Sequence, residues 1–149
     1  MIPKYRAWDK EFKEMVQVNA LVLDEQVVKV TYKNGNVVKD DMKNYDLMQS
    51  TGLKDKKGQE IFEGDIITTN AYGCIMCFGE YTYFEDEDTQ TTAIGFYLSF
   101  LNVTPATYAP FEKIYWDNCE VIGNIHENEL DLILYEAYKY NKETSEEVE

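Results

Sequence analysis

Three cysteines and one histidine are the residues of this chain best suited to metal binding or redox chemistry. Cys74 and Cys77 form a Cys-x-x-Cys pair, while Cys119 and His126 stand alone. A zinc site needs four ligands held together, and thioredoxin-like chemistry needs a helix after the motif. The residues around the pair predict a strand, in which positions 74 and 77 point to opposite faces. The pair therefore predicts small apolar side chains, not a metal or redox centre.

Side chains for acid–base or nucleophilic catalysis are also scattered. No Ser or Cys nucleophile lies at a motif spacing from His126. Glu60, Glu63 and Asp65 could support a carboxylate-dependent reaction, but such groupings arise readily in an acidic chain. The run Glu85–Asp88 lacks the glycine and distal glutamate of an EF-hand and predicts a solvated hairpin tip. We therefore predict no catalytic residue, no metal ligand and no cofactor, and we do not expect an enzyme.

The stretch at 47–68, LMQSTGLKDKKGQEIFEGDIIT, contains glycines without forming a phosphate-binding loop. Phosphate loops place a helix start directly behind the glycine-rich turn. Here Gly52, Gly58 and Gly64 are evenly spaced and no helix start follows them. Gly58 suits a turn position with positive φ, and Gly64 followed by Asp65 suits a bend. The stretch predicts a β-hairpin that enters a small barrel.

The size and charge of the chain indicate which kinds of partner it could bind. The chain has 149 residues, which fits a single domain. It carries 28 acidic and 14 basic residues and a net charge of −14, which disfavours binding to nucleic acid. No signal-peptide core or bilayer-spanning apolar run is evident. Together with the odd number of cysteines, this predicts a cytoplasmic protein with free thiols and no membrane partner.

The hydrophobic pattern predicts a mainly β, antiparallel fold. Runs of β-branched and aromatic residues predict strands at 4–9, 16–23, 26–32, 47–54, 60–69, 73–84, 91–101 and 115–125. Residues 16–32 form an N-terminal β-hairpin in this prediction, and 37–44 and 102–111 are loops. Apolar residues at helical spacing predict one C-terminal amphipathic helix: Leu130, Ile133, Leu134, Ala137 and Tyr138. We expect a small antiparallel or SH3-like barrel that this helix closes, as one domain over 1–141 with a disordered acidic tail at 142–149.

Three blocks of the sequence resemble the YopX family. They are Arg6-Ala7-Trp8-Asp9, TGLKDKKGQEIFEGDII at 51–67, and EVIGNIHEN at 120–128, and they occur in the family's order. The chain departs from the family pattern at Glu129, where a proline often follows the closing Glu-Asn. The resemblance implies a small, mainly β protein of a phage or prophage, mostly of Gram-positive bacteria, and a candidate homo-oligomer. It implies no enzymatic activity, so no catalytic residue is carried over.

The motif positions that could do more than support the fold are candidates for binding. They are Arg6, Trp8, Gln49, Thr51, Asp55 and Asn124. A tryptophan beside an arginine could stack on a planar ligand. The alternative, which we favour, places Trp8 in the core, because tryptophan is highly buried on average.

The leading hypothesis for function is a non-enzymatic accessory protein of a phage or prophage that binds a host or phage protein. An acidic, tyrosine-rich surface would make the contact, because tyrosine supplies contact area at low entropic cost. The alternative is a small ligand, such as a nucleotide or signalling molecule, held in the mouth of the barrel.

Overall fold

Eleven β-strands, one 3₁₀ turn and one short helix form the part of the chain that the structure describes, residues 2–69 and 72–128 of a computed structural model. The strands are β1 (Tyr5–Asp9), β2 (Glu14–Val22), β3 (Val27–Thr31), β4 (Val37–Asp41), β5 (Tyr45–Lys54), β6 (Glu60–Phe62), β7 (Asp65–Thr69), β8 (Tyr72–Phe84), β9 (Gln90–Phe100), β10 (Tyr108–Pro110) and β11 (Glu120–Asn124). The 3₁₀ turn (Met42–Asn44) lies between β4 and β5, and helix α1 (Lys113–Trp116) lies between β10 and β11.

The first sheet has the antiparallel order β4–β3–β2–β1–β5–β6. Alternation explains its buried face: Val28 and Val30 in β3 are fully buried, while Lys29 between them is exposed. They pack with Ala7, Val16 and Tyr45 into one apolar cluster. The N-terminal hairpin predicted over 16–32 is confirmed, since β2 and β3 pair along their length.

The second sheet has the antiparallel order β10–β9–β8–β7–β11. Its core is a separate cluster, formed by Ile61, Ile67, Cys74, Met76, Leu98, Phe111 and Cys119. Ile61 comes from β6 of the first sheet, so this cluster also fills the space where the two sheets meet. The chain passes from one sheet to the other in the short turn between β6 and β7.

The closed barrel that the sequence predicts does not form, because both sheets stay open. The 3₁₀ turn connects the edge strand β4 to β5 along the chain, and Met42 N–H donates to the carbonyl of Gln26 at 2.9 Å, at the end of the β3–β4 ladder. No strand ladder joins β4 to β5 or β6 within the described residues, however. β6 ends after three residues at the turn that contains Gly64, and β7 starts a new sheet. The mainly β, antiparallel character of the prediction is confirmed.

Other predicted boundaries also need correction. Residues 37–44, predicted as a loop, form β4 and the 3₁₀ turn, and 102–111 contains the short strand β10. The predicted strand at 115–125 begins as helix and becomes β11 only at Glu120. The C-terminal helix at 130–138 and the tail at 142–149 lie outside the described residues. No helix in the described part is long and apolar enough to cross a membrane.

Gly64 lies in the turn where the chain leaves the first sheet for the second, and there is little room for a side chain at this position. Its φ is +86°, and a Cβ atom there would lie 3.1 Å from the Met48 sulfur and 3.5 Å from Cγ1 of Ile125. Its N–H donates to the carbonyl of Met76, and its own carbonyl accepts from Ile125 N–H. Gly58 has the same φ, but a Cβ atom there would have no neighbour within 4 Å. Substitutions at these two glycines can therefore distinguish the cost of backbone strain from the cost of crowding.

We expect Gly64→Ala to lower the free energy of unfolding more than Gly58→Ala does. Both substitutions force alanine into the left-handed region, at about 1–2 kcal/mol. Only Gly64→Ala also crowds a packed neighbour, which adds roughly 1–3 kcal/mol. Urea unfolding of the two variants and the parent protein measures the difference. Equal losses would contradict a crowded crossing at Gly64.

Candidate functional site

A buried ion pair joins the two sheets. Arg6 on β1 donates through Nη2 to Oδ1 of Asp65 on β7 at 2.7 Å, and the two side chains are 16% and 1% exposed. The other oxygen of Asp65 accepts the Phe62 N–H at 2.7 Å, and the Arg6 guanidinium lies 4.7 Å from the centre of the Phe62 ring. Burial raises the pKa of Asp65, and Arg6 opposes that rise. The arginine is therefore what makes a charged Asp65 tolerable here.

The backbone of Gln49 is linked to the Arg6–Asp65 pair through Glu63. The Glu63 N–H donates to the Gln49 carbonyl at 2.9 Å, and the Gln49 N–H donates to the Glu63 carboxylate at 3.4 Å. Arg6 also donates to the Glu63 carbonyl at 3.3 Å, while its own Nε is buried without a hydrogen-bond partner in the described part of the protein. Burial raises the pKa of Glu63 as well. Arg6 and Gln49, predicted separately, thus belong to one junction.

Trp8 is half-buried, and its planar partner comes from the chain itself. Its ring stacks on His126, with ring centres 5.3 Å apart and planes 15° from parallel. Asn124 fixes the turn that holds His126, because its Oδ1 accepts the N–H groups of His126 and Glu127 at 2.9 and 2.8 Å. Asn124 also lies opposite Asp65 in the register of β11 and β7. Arg6 and Trp8 are therefore both engaged by groups of the protein, Arg6 by Asp65 and one face of the Trp8 ring by His126.

Thr51 and Asp55 lie at a second place, in the hairpin of β5 and β6. The Thr51 hydroxyl donates to the Ile61 carbonyl at 2.8 Å. The Asp55 carboxylate accepts two N–H groups of its own turn and the Val121 N–H at 2.9 Å, which ties this hairpin to β11. Burial works to raise the pKa of Asp55, but these backbone donors outweigh it and the pKa is lowered.

Arg6 and Asn124 therefore lie at Asp65, and the Gln49 backbone is linked to them through Glu63. Trp8 stacks on the turn that follows Asn124, and Thr51 and Asp55 stabilise a neighbouring hairpin. Side-chain hydrogen bonds to other groups of the protein are made by Arg6, Thr51, Asp55 and Asn124, while the Arg6 Nε is buried without one in the described residues. Sequence reasoning treated Asp65 only as a bend residue or a chance carboxylate, and it did not connect His126 to Trp8. The signal that was available is the Gly-Asp pair at a predicted bend, where an acidic side chain enters a strand of buried isoleucines.

The cysteines are in the protein interior. Cys74 and Cys119 are fully buried, and burial raises the pKa of their thiols to about 12 and about 11. Cys77, on the opposite face of β8, is half-buried beside Tyr97. Within residues 2–69 and 72–128, no three His, Cys, Asp or Glu side chains are grouped to hold a metal. These protonated thiols are poor nucleophiles at neutral pH.

The β8–β9 hairpin continues beyond the body of the second sheet. β7 pairs with β8 only up to Ile75, and β10 pairs with β9 only from Tyr97 onwards. Residues 79–95, called the arm below, therefore pair only with each other in the described register. The acidic run at 85–88 lies at the tip of the arm, as predicted.

The two faces of the arm differ in exposure. One face carries Phe84, which is 67% exposed, and Ile94, which is 77% exposed, with Phe78 at its base. The other face carries Tyr81 and Tyr83, whose rings stack with their centres 5.6 Å apart. At the base of the arm, Tyr81 also stacks on Tyr97 at 4.6 Å, and Tyr97 meets Tyr108 edge-on at 5.7 Å. One face is therefore covered by its own aromatic rings, while the other leaves large apolar side chains in solvent.

Comparison with known proteins gives a family match and a structural relative. The model of the family described as YopX protein matches residues 4–131. The crystal structure of protein EF1440 from Enterococcus faecalis is 31% identical, with 89% of this chain and 99% of that chain covered and a TM-score of 0.51. No curated protein matches the chain. The family match includes both sheets, the Arg6–Asp65 junction and the arm.

We expect Arg6→Met to destabilise the protein strongly, because it leaves the Asp65 carboxylate buried without a counter-ion. Breaking such a pair from one side costs about 3–5 kcal/mol. Lys39→Met is the matched control, since Lys39 and Glu25 form an exposed pair at 3.5 Å that is worth about 1 kcal/mol or less. Chemical unfolding measures both losses. Adding Asp65→Asn to Arg6→Met should recover part of the loss, and a double variant no better than the single one would count against a charge effect.

The surroundings of His126 predict that the free energy of unfolding depends on pH. Burial lowers the pKa of His126 and Arg6 lowers it further, against an opposing effect of Asp46. The folded protein therefore binds fewer protons at this site than the unfolded chain, and the resulting stability is present above the unfolded pKa and lost as the pH falls below it. We expect the parent protein to lose more unfolding free energy than His126→Phe between about pH 7.5 and about pH 5.5. Phenylalanine keeps a ring against Trp8 without titrating, so identical pH profiles would refute this assignment.

Proposed function

The chain belongs to the YopX family, and from that premise we propose that it is a phage or prophage accessory protein that binds a protein partner in the bacterial cytoplasm and has no enzymatic activity. The observation that supports this proposal is the apolar face of the arm. Phe84 and Ile94 stand in solvent on a hairpin that only its own two strands hold together. The two side chains alternate on this face with Glu80, Thr82, Gln90 and Thr92. Large exposed apolar side chains set among polar ones can serve as the anchors of a protein interface.

The energetics of the arm favour a partner that covers it. A two-stranded hairpin is only marginally stable in water on its own. The stacked tyrosines stiffen one face of the arm, so ordering it on binding costs little side-chain entropy. A partner that covers Phe84 and Ile94 then gains apolar contact at a pre-formed surface.

Charge defines the chemistry of the partner. The tip of the arm carries Glu85, Asp86, Glu87 and Asp88, and the whole chain has a net charge of −14. A basic surface with apolar side chains between its charges complements such a tip, and the attraction speeds encounter. The same charge opposes phosphate-bearing partners. A second copy of this chain would bring two acidic tips together, so a different host or phage protein is the better occupant, and self-association is an outcome to be measured.

We expect the double variant Phe84→Ser/Ile94→Ser to lose the partner while remaining folded, since both side chains are exposed. Leu23→Ser is the matched control, because Leu23 is 75% exposed on a turn of the first sheet. A protein captured from lysate of the bacterial host by the parent chain is purified, and its affinity for the three proteins is measured by calorimetry. The arm variant should bind at least about tenfold more weakly, and raised salt should weaken the parent complex.

Three outcomes would contradict this proposal. The first is equal loss of binding in Leu23→Ser and in the arm variant, which would place the contact elsewhere. The second is a complex that is insensitive to salt, which would remove the acidic tip from the interface. The third is a chain that light scattering shows to be oligomeric and that becomes monomeric in the arm variant, which would assign the apolar face to a second copy.

A further inference from the structure

A cavity of about 540 Å³ opens at one end of the first sheet, far along the chain from the arm. It lies between the turn that joins β1 to β2 and the hairpin of β3 and β4. Its walls are formed chiefly by Phe12, Glu14, Tyr32, Asn36, Val38 and Asp40. The walls combine apolar, aromatic and acidic side chains, as small-ligand sites commonly do. Neither the Arg6–Asp65 junction nor the arm uses these residues.

A chain of hydrogen bonds fixes one side of the cavity. The Tyr32 hydroxyl donates to Oδ2 of Asp9 at 2.6 Å and lies 2.7 Å from the Tyr45 hydroxyl, which in turn donates to Asp40 at 3.3 Å. Burial and the bond to Asp9 raise the pKa of Tyr32, so both phenols stay neutral. The other oxygen of Asp9 accepts the Phe12 N–H at 3.1 Å, which holds the turn that carries this ring. The aromatic side of the cavity is therefore pre-formed.

Neutral groups hold the two acidic side chains of the cavity. Glu14 accepts the Lys33 backbone N–H at 3.1 Å, and Asp40 accepts the Asn44 amide and the Tyr45 hydroxyl. Neither Glu14 nor Asp40 forms an ion pair with a Lys or Arg within the described ranges 2–69 and 72–128. Lys33 is next to the cavity in sequence, but it lines a different groove, together with Met15 and Glu127. Phe12 lines the same cavity as these carboxylates and is 72% exposed, so most of its ring is accessible to a ligand.

We infer that this cavity binds an organic cation, a guanidinium or primary ammonium group carried on an apolar stem. Val38 and the Phe12 ring offer contact for the stem, the ring faces attract the charge, and Glu14 and Asp40 neutralise it. A nucleotide does not suit this site, because the carboxylates repel its phosphates. The inference is independent of the proposed partner on the arm, since the two surfaces belong to different sheets.

The test is a titration of the full-length, ¹⁵N-labelled protein followed by NMR. Agmatine supplies a free guanidinium on a four-carbon stem, and an acetylated and amidated Gly-Arg-Gly peptide supplies the same group on a protein backbone. Adenosine monophosphate is the anionic control. We expect saturable shifts of amides around Phe12, Asn36 and Val38 with both guanidinium probes, and none with the nucleotide.

Variants with matched controls locate the binding. Phe12→Ala should weaken agmatine binding about two- to fivefold, the loss expected for one exposed cation–π contact. Glu14→Gln should weaken it by a similar factor and reduce its dependence on salt. Phe84→Ala and Glu87→Gln are the controls, because they remove an equally exposed ring and a carboxylate from the arm. Both controls should bind agmatine like the parent protein.

Each outcome decides the inference. Equal affinity for agmatine and the peptide supports a site for the cationic group from either source, and a clear preference for the peptide supports the basic side chain of a protein. Absence of saturable binding by both probes overturns it, as does equal weakening in Phe12→Ala and Phe84→Ala. Since the arm variants leave this cavity unchanged, failure here does not depend on the fate of the partner proposed for the arm.

Discussion

The buried carboxylate of Asp65 is the constraint on which the rest of the structure depends. It stands at the first position of β7, where the chain has just left the first sheet, and at 1% exposure it must be neutralised or protonated. Arg6, 59 residues earlier, supplies the positive charge, and the Phe62 N–H occupies the other oxygen. This pair fixes β1 against β7 and so sets how the two sheets meet. Asn124 lies opposite Asp65 in the register of β11 and β7, and the Gln49 backbone bonds to Glu63 beside the pair.

The sequence predicted what short-range physics controls. Alternation at Val28 and Val30 was enough to place β3 on a buried face, and the acidic run at 85–88 was enough to predict a hairpin tip. Residues 37–41 were predicted as a loop because their polar sequence shows no buried face. They form an edge strand, which packs little, and their pairing with β3 leaves no signal in the sequence. Closure into a barrel depends on where β6 ends and on the turn at Gly64, which no local pattern reveals.

The candidate site was likewise predictable only in part from the sequence. Arg6 and Asn124 were found through the family's motif blocks, but the motif does not say that both surround Asp65. Ion pairs between distant segments leave no periodic signal, and neither does the stacking of Trp8 on His126. The cavity beside Phe12 was also beyond prediction, because its walls come from two strands, β2 and β4, and from two turns. The hypothesis of a ligand in the mouth of a barrel stays a prediction, because the sheets do not close; the grouping of Glu14 and Asp40 at one cavity arises only from the tertiary structure.

The strands of the junction are far apart in the sequence, and this affects how the protein folds during its synthesis on the ribosome. The first five strands are neighbours in the chain or joined by short turns, apart from the pairing of β1 with β5, so most of the first sheet can form soon after residue 54 emerges. The second sheet lacks its edge until β11 is made, and the carbonyl of Gly64 waits for Ile125. The edge of β7 that pairs with β11 therefore stays open while residues 70–119, about a third of the chain, are made. A nascent chain of this kind is most prone to misassociation in that interval, and its acidic surface, by electrostatic repulsion between neighbouring nascent chains, counters that risk.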